Sequence, residues 1–135
     1  MTFLLDTNAF SDLMAAEPRS SAHFASVTAS DRVVICTIVR GEILYGIERM
    51  PPDSRRDVFS RNADALFSVI ACEPVPAAAA DQCARTKQQC RARGVALDEN
   101  DLWIAATCLW LGATLVSRDR DFTRVPGLPV EDWTA

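Results

Sequence analysis

The chain of 135 residues lacks the features that mark several large classes of protein. It has one histidine, His23, and its five cysteines form no CxxC pair. Zinc sites need cysteine and histidine ligands at short spacings, so a zinc site is not expected. An odd number of cysteines also favours reduced, mostly buried thiols over a disulfide framework.

Long apolar runs and phosphate-binding loops are absent as well. No apolar stretch approaches the roughly 20 residues that a bilayer requires. Asp6 interrupts the short apolar run near the N-terminus, and no basic region precedes it, so we expect no signal peptide and a cytoplasmic location. Without a glycine-rich phosphate loop, a nucleotide kinase or a dehydrogenase is disfavoured. The lone His23 leaves a histidine-based catalytic triad unsupported.

The charge pattern permits a nucleic-acid partner without requiring one. The net charge of −4 argues against nonspecific attraction to nucleic acid over the whole surface. The basic residues are thirteen arginines and one lysine, and residues 85–93 carry four cations and no anion. Arginine binds phosphate bidentately and stacks on bases. A general bias towards arginine explains the same composition without any function.

Short apolar segments alternate with helical patterns along the chain. We predict strands at residues 2–6, 33–36, 73–76, 113–117 and 129–132. We predict helices at residues 7–14, 22–29, 38–50, 53–70, 77–93 and 102–111, with a break around Pro18. Strands alternating with helices imply a parallel sheet covered on both faces. No linker, repeat or low-complexity tract interrupts the pattern, so we expect a single domain over residues 1–135.

Four acidic residues lie where a predicted strand ends or the next helix begins. Asp6 closes the first strand, and Glu42 opens a helix after the second. Asp101 starts the segment DLWIAA, and Asp119 follows the fourth strand. In an open parallel sheet, ligands bind outside the carboxyl ends of the strands. Carboxylates gathered there repel one another, and a hard divalent cation with oxygen ligands is the simplest group that would hold them together.

Each acid also has a structural explanation. Capping explains Asp6, and a favourable interaction with the helix dipole explains Asp101. A solvated helix face and a charged loop explain the other two. Glu42 fits its structural explanation worst, because its flanking residues are apolar and nearby glycines leave room beside it. The shared position of the four acids relative to the strands favours a common site.

A divalent cation held by carboxylates suits phosphodiester hydrolysis. It lowers the pKa of a bound water, orients the phosphodiester and stabilises the leaving oxygen. Ligand sets made only of oxygen favour Mg²⁺ or Mn²⁺ over Zn²⁺. The residues therefore predict an Mg²⁺- or Mn²⁺-dependent phosphodiesterase.

The motifs, taken in order, resemble those of a PIN domain. The chain opens with FLLDTN, continues with VRGEILYG and DLWIAA, and closes with ATLVSRDRDF and VPGLPVEDW. Its length and last segment resemble the VapC toxins of type II toxin–antitoxin modules. Each motif alone is weak, but five in order span essentially the whole chain. The resemblance implies a PIN-domain-like three-layer α/β/α sandwich with a central parallel sheet of four to five strands.

The resemblance also implies an activity and a set of site residues. The activity is an Mg²⁺-dependent endoribonuclease, with Mn²⁺ as the other suitable ion, that cleaves structured RNA such as tRNA or rRNA by metal-activated water. By matching motif positions, the acidic quartet that carries catalysis and binds metal consists of Asp6, Glu42, Asp101 and Asp119. Asp6 and Asp101 are expected to be the most direct ligands. The supporting positions are Thr7, Asn8 and Ser117, with Asp121 as a reserve acid, and a metal-binding role for Asp98 or Asp121 stays open.

Protein partners follow from the same resemblance. A cognate antitoxin would wrap the chain and block the acidic pocket, often with an arginine, and toxins of this type usually form homodimers. Two other functions stay open: a structure-specific DNA nuclease of the same fold, and a non-catalytic domain that binds RNA or antitoxin. A phospho-accepting response regulator also has an acidic pocket on a parallel sheet. It is disfavoured because the only lysine, Lys87, lies on a predicted helix.

Overall fold

A five-stranded parallel sheet forms the centre of the protein in the computed structural model, which describes residues 1–135. The strand order is β3-β2-β1-β4-β5, and every neighbouring pair is parallel. In chain order the strands are β1 Thr2–Leu5, β2 Arg32–Cys36, β3 Ala71–Glu73, β4 Thr114–Val116 and β5 Val130–Glu131. The expected central parallel sheet is confirmed, with five strands.

Six α-helices cover the two faces of this sheet. They are α1 Thr7–Met14, α2 Pro18–Ser26, α3 Thr37–Glu48, α4 Ser54–Phe67, α5 Ala78–Ala92 and α6 Glu99–Leu111. A short 3₁₀ helix, Arg120–Arg124, follows β4. The three-layer α/β/α sandwich is therefore confirmed. None of the helices combines the length and the apolar character that crossing a membrane would demand.

The central strands are buried because helices cover both of their faces. Leu4 and Leu5 of β1 and Leu115 of β4 are fully buried, as expected for the apolar runs of a parallel sheet. They belong to one hydrophobic cluster of 29 buried residues. Helix α6 is buried over most of its length, including every residue of 104–108. The cysteines are all free, and only Cys72 is exposed.

Aspartates begin several of the helices. The carboxylate of Asp6 accepts a hydrogen bond from the backbone amide of Ala9 at 2.8 Å, which caps α1. Asp98 caps α6 in the same way, accepting from the amide of Asp101 at 2.8 Å. Gly112 ends α6 with φ 65°, a left-handed conformation that glycine adopts without strain. Because α1 follows β1 directly, its cap places a carboxylate at the carboxyl end of a central strand.

The chain does break between helices near Pro18, at residues 15–17, but α2 begins at that proline and not at residue 22 as predicted. Proline at the first helical position loses no hydrogen bond, since that amide has no partner within the helix. The carboxylate of Glu17 caps the helix by accepting from the amides of Arg19 and Ser20, at 3.2 and 2.7 Å.

Two side chains of α3 and α4 differ from what their residue types suggest. Thr37 does not cap α3: its hydroxyl accepts from the amide of Val75 and donates to the carbonyl of Glu73, joining α3 to the segment after β3. Val58 of α4 is apolar but is 47% exposed. Ala63 is the fully buried residue of that helix instead.

Candidate active site

Asp6 and Ser117 lie side by side at the carboxyl ends of β1 and β4, and both side chains are buried. The Ser117 hydroxyl is close enough to the Asp6 carboxyl to lower its pKa. The Ser117 oxygen also accepts a hydrogen bond from the backbone amide of Asp119 at 3.0 Å. Ser117 therefore connects two of the predicted acids across the centre of the sheet.

The environment of Asp6 combines a structural role with an unusual charge state. Burial raises the pKa of the Asp6 carboxyl above its ordinary value. The hydroxyl of Ser117 and the hydrogen bond from the amide of Ala9 counteract this shift, while the charge of Asp119 adds to it. The capping explanation is thus correct for Asp6, but capping does not account for a buried carboxylate that faces a second one.

Asp101 is the most strongly perturbed acid of the structure. It is the third residue of α6, and its pKa is raised to about 7. Burial is the largest cause, and the charge of Asp98 is the next. Glu42, Asp119 and Asp6 each add a further repulsive contribution. No hydrogen-bond donor and no cation is among these main causes. Because Glu42, Asp119 and Asp6 all act on Asp101, the structure brings the four predicted acids within electrostatic range of one another.

Glu42 lies in the interior of α3, so the expectation that it opens this helix is wrong. The helix begins five residues earlier because β2 leads directly into it at Thr37. The Thr7 hydroxyl donates a hydrogen bond of 2.6 Å to Glu42 Oε1, and this bond joins α1 to α3. Thr7, predicted as a supporting residue, thus fixes the position of one acid of the quartet.

The remaining predicted residues lie at the edge of the acidic site. Asp119 caps the 3₁₀ helix by accepting from the amide of Asp121 at 2.9 Å. Asp121 is exposed, and its charge is not among those that act on Asp6 or Asp101. Asn8 is exposed and lines a groove beside Glu42. Asp98, given less weight than the quartet, acts more strongly on Asp101 than any other charge does.

The site fits a hard divalent cation in donor chemistry. All four acids offer oxygen, the donor that Mg²⁺ and Mn²⁺ prefer. No group of three or more acidic, cysteine or histidine side chains lies close enough together to form a metal site by itself. Three of the four carboxylates accept hydrogen bonds from local donors: Asp6 from the amide of Ala9, Glu42 from the hydroxyl of Thr7, and Asp119 from the amide of Asp121.

A groove of about 610 Å³ runs along α3 beside Glu42 and reaches Asn100 of α6. Its rim includes Tyr45 and Arg49, which the sequence did not single out as site residues. Tyr45 is the only tyrosine of the chain, and it is 67% exposed. The helical spacing contained the signal, because positions 45 and 49 fall three and seven residues after Glu42 and so share its face.

Comparison with protein families gives a match over most of the chain. The family model described as the PIN domain matches residues 3–128. Among curated proteins, the chain is 24% identical to Ribonuclease VapC2 of Rickettsia felis, covering 98% of each chain. It is 28% identical to Ribonuclease VapC1 of Haemophilus influenzae, covering 99% of each.

Comparison with solved structures finds the same fold. The chain resembles one in the crystal structure of VapBC2 from Rickettsia felis bound to a DNA fragment from their promoter, with a TM-score of 0.90 and 21% identity. The match covers 98% of this chain and 99% of that one. At this level of identity the likeness establishes the fold.

Proposed function

This chain belongs to the PIN-domain family, and from that premise we propose that it is a metal-dependent endoribonuclease and the toxin of a toxin–antitoxin pair. The observation that carries the proposal is the buried position of Asp101 among other acids: burial first, and then the charges of Asp98, Glu42, Asp119 and Asp6, raise its pKa to about 7. Ionisable groups perturbed by neighbouring charges are concentrated at functional sites. The names of full-length relatives, which are ribonucleases, support RNA as the substrate class.

Under this proposal, the side chains divide into ligands and groups that hold them. Asp6 and Asp101 bind the cation directly, and Glu42 and Asp119 bind it directly or through water. A bound Mg²⁺ or Mn²⁺ would supply a water of lowered pKa and would neutralise charge on the phosphodiester. Thr7 holds the Glu42 carboxylate, as groups around metal ligands commonly do. In-line attack by water would leave a 5′-phosphate and a 3′-hydroxyl.

Protonation of Asp101 is part of the proposed mechanism. With a pKa of about 7, its carboxyl is substantially protonated near neutral pH when no cation is bound. Metal ligands must be deprotonated, so binding of the cation displaces this proton. Ser117 lies beside Asp6 and lowers its pKa, which favours the ionised form of that carboxyl.

The proposal includes the biological setting. The substrate would be a structured RNA such as a tRNA or rRNA, and RNA and antitoxin would both be met in the cytoplasm. A cognate antitoxin would cover the acidic site, because a guanidinium group satisfies crowded carboxylates much as a metal cation does. We also propose a single domain over residues 1–135 that forms a homodimer. The single core cluster supports the domain assignment.

The direct test is cleavage of total RNA by the purified protein. We expect cleavage with Mg²⁺ or Mn²⁺, none in EDTA, and a loss of at least about 100-fold in the Asp101→Asn variant. Asp64→Asn, which changes an exposed acid of α4, is the matched control and should cleave normally. Full activity in EDTA or in Asp101→Asn would exclude the mechanism, and preferential cutting of single-stranded DNA in a parallel digestion would favour the DNA nuclease.

A further inference from the structure

One face of α3 carries features that the proposed hydrolysis does not use. Tyr45 and Arg49 line the groove that contains Glu42, hereafter the α3 groove. The Tyr45 ring is 67% exposed, and the Arg49 guanidinium carbon lies 5.8 Å from the ring centroid. None of the five ion pairs of the structure involves Arg49. The groove therefore offers an aromatic face and an unpaired cation beside the acidic site.

Two glycines in α3 have no explanation in the packing of the chain. Gly41 and Gly46 both line the α3 groove. A Cβ atom built on either residue meets no atom within 4 Å. Neither glycine has a positive φ. Glycine inside a helix is destabilising relative to alanine, so these positions weaken α3 without relieving any contact. What they provide is a strip of bare backbone on either side of Glu42 and Tyr45.

These features suit an unpaired nucleotide better than a protein segment. A nucleobase stacks on an exposed aromatic side chain, and a phosphate pairs with a free guanidinium. Only two of the nine residues that line the groove, Ile38 and Tyr45, are hydrophobic, which leaves little surface for apolar side chains of a peptide. A base within a duplex has both faces covered by its neighbours, so only an unstacked base can use the Tyr45 ring.

We propose that the α3 groove binds one unpaired nucleotide of the RNA next to the cleaved phosphodiester. Its base stacks on Tyr45, its phosphate pairs with Arg49, and its backbone crosses Gly41 and Gly46. This inference rests on the proposed ribonuclease function and narrows its substrate to RNA that is single-stranded at the cut, such as a loop.

The first test measures binding in the absence of cleavage. In the Asp101→Asn background, the affinity for a fluorescein-labelled single-stranded adenylate decamer is measured by anisotropy. Tyr45→Ala should weaken binding about 5- to 100-fold, the range for loss of one stacked base, while Tyr45→Phe stays within about twofold. On a decamer with abasic residues, the proteins with Tyr45 and with Tyr45→Ala should bind with equal affinity. An unchanged affinity in Tyr45→Ala, or an equal loss on the abasic decamer, would overturn the proposal.

The second test separates binding from folding. Gly46→Leu replaces a helix-weakening residue by a strong helix former in open space, so we expect the Tm to rise by about 2 to 4 °C. The same side chain fills the groove and should weaken binding of the adenylate decamer at least about tenfold. A higher Tm with unchanged affinity would show that the RNA does not cross this strip.

The third test concerns Arg49. Arg49→Gln should reduce the slope of log affinity against log salt by about one phosphate contact. Arg61→Gln, at an exposed position of α4, and Trp110→Ala, at an exposed aromatic of α6, are the matched controls and should bind as the parent does. An unchanged slope in Arg49→Gln would remove the phosphate contact from the proposal.

Cleavage kinetics distinguish this inference from the proposed function. If the wild type cuts RNA with Mn²⁺ and Tyr45→Ala leaves KM unchanged, the ribonuclease proposal stands and the α3 groove proposal fails. If the wild type cuts no RNA, the ribonuclease proposal fails, whatever the binding data show. Unchanged RNA affinity together with weaker binding of the cognate antitoxin by Tyr45→Ala would assign the groove to a protein segment and overturn the proposal.

Discussion

The interior of the sheet and the acidic edge at its carboxyl end follow opposite rules. In the interior, apolar side chains form one buried cluster, and no buried side-chain polar atom lacks a partner. At the edge, burial and four neighbouring carboxylates are the main influences on Asp101, and all of them raise its pKa. Proteins relax such rules mainly at functional sites. The contrast therefore marks the edge as the part of the molecule shaped by something other than folding.

The same contrast appears within the first turn of α6. Asp98 accepts the hydrogen bond that begins the helix. Asp101, three residues later, accepts no such bond and is repelled by Asp98. From Leu102 onwards the helix enters the core. The two aspartates of this turn thus differ in environment: Asp98 bonds to the helix backbone, whereas Asp101 lies among other carboxylates.

The largest effect that we expect is on the interior. Phe10 of α1 is fully buried, and its ring stacks on Phe67 with centroids 5.1 Å apart. Phe10→Ala should lower the free energy of unfolding by about 3–5 kcal/mol, because it removes apolar contacts and leaves a cavity. Urea unfolding measures this, with Phe10→Leu as the milder control. A loss below about 1 kcal/mol would show that the interior is less tightly packed than described.

The hydrogen bond between α1 and α3 tests the edge. Thr7→Val keeps the shape of the side chain but removes the donor to Glu42. We expect a loss of about 10- to 100-fold in RNA cleavage, the usual effect of removing a group that orients a metal ligand. Thr7→Ser keeps the hydroxyl and should cleave nearly as well as the wild type. Equal activity of Thr7→Val and Thr7→Ser would remove Thr7 from the site.

Two variants of Asp98 separate its capping of α6 from its repulsion of Asp101. Asp98→Ala removes the cap of α6 and should lower the free energy of unfolding by about 1 kcal/mol. Asp98→Asn keeps the cap and removes a charge that repels Asp101, so its stability without metal should equal or exceed that of the wild type. Chemical denaturation of both variants measures the difference. Equal losses in the two would contradict the division of roles within this turn.

The smallest expected effect is a pH dependence of stability without metal. In the folded protein the pKa of Asp101 is about 7, against an ordinary value of 3.8, and the pKa of Asp6 is also raised. The folded state therefore binds more protons in this window, and stability must fall as the pH rises through it. Since Asp101 is half-exposed, solvent screening limits the change to on the order of 1 kcal/mol. Asp101→Asn should show a weaker dependence, as measured by urea unfolding at several pH values.

Lowered pKa values produce the opposite trend in more acidic solution. The pKa values of Glu17, Asp31 and Asp132 are lowered, chiefly by hydrogen bonds they accept. Their contribution is present above their ordinary pKa values and is lost as the pH falls through the folded ones. The two windows are distinct, so a decrease between about pH 4 and pH 7 reports on the raised acids.

The sheet and the positions of the acids were predictable because short apolar strands end abruptly at polar residues. Asp6 directly follows β1. Asp119 lies two residues after Ser117, which directly follows β4. The exposure of a helix face was harder to predict. Tyr45 lies in a helix whose apolar residues fit the helical period only loosely, so only its position three residues after Glu42 indicated that it faces solvent. The start of α3 was also hard to locate, because no side chain caps this helix and the hydroxyl of Thr37, a typical capping residue, bonds to Glu73 and Val75 instead.

The number of acids that act on Asp101 did not follow from the sequence either. Asp98 and Asp101 are three residues apart in the first turn of a helix, a spacing that helix capping alone would explain. Only the folded chain shows that Glu42 and Asp119, distant in sequence, add their charges to the same carboxylate. Long-range convergence of this kind depends on strand order, which the spacing of motifs does not determine.

The most direct test of the acidic edge is thermal unfolding of the wild type and Asp101→Asn, each with EDTA and with Mn²⁺. If the acids converge to hold a cation, saturating Mn²⁺ raises the wild-type Tm, by an amount equivalent to about 2.7 kcal/mol at a hundredfold excess over Kd. Asp101→Asn then gains little from Mn²⁺, yet in EDTA it is at least as stable as the wild type. The opposite result is a wild-type Tm that Mn²⁺ does not change and an Asp101→Asn variant that is less stable than the wild type in EDTA. That result would contradict the proposal that the acids hold a cation.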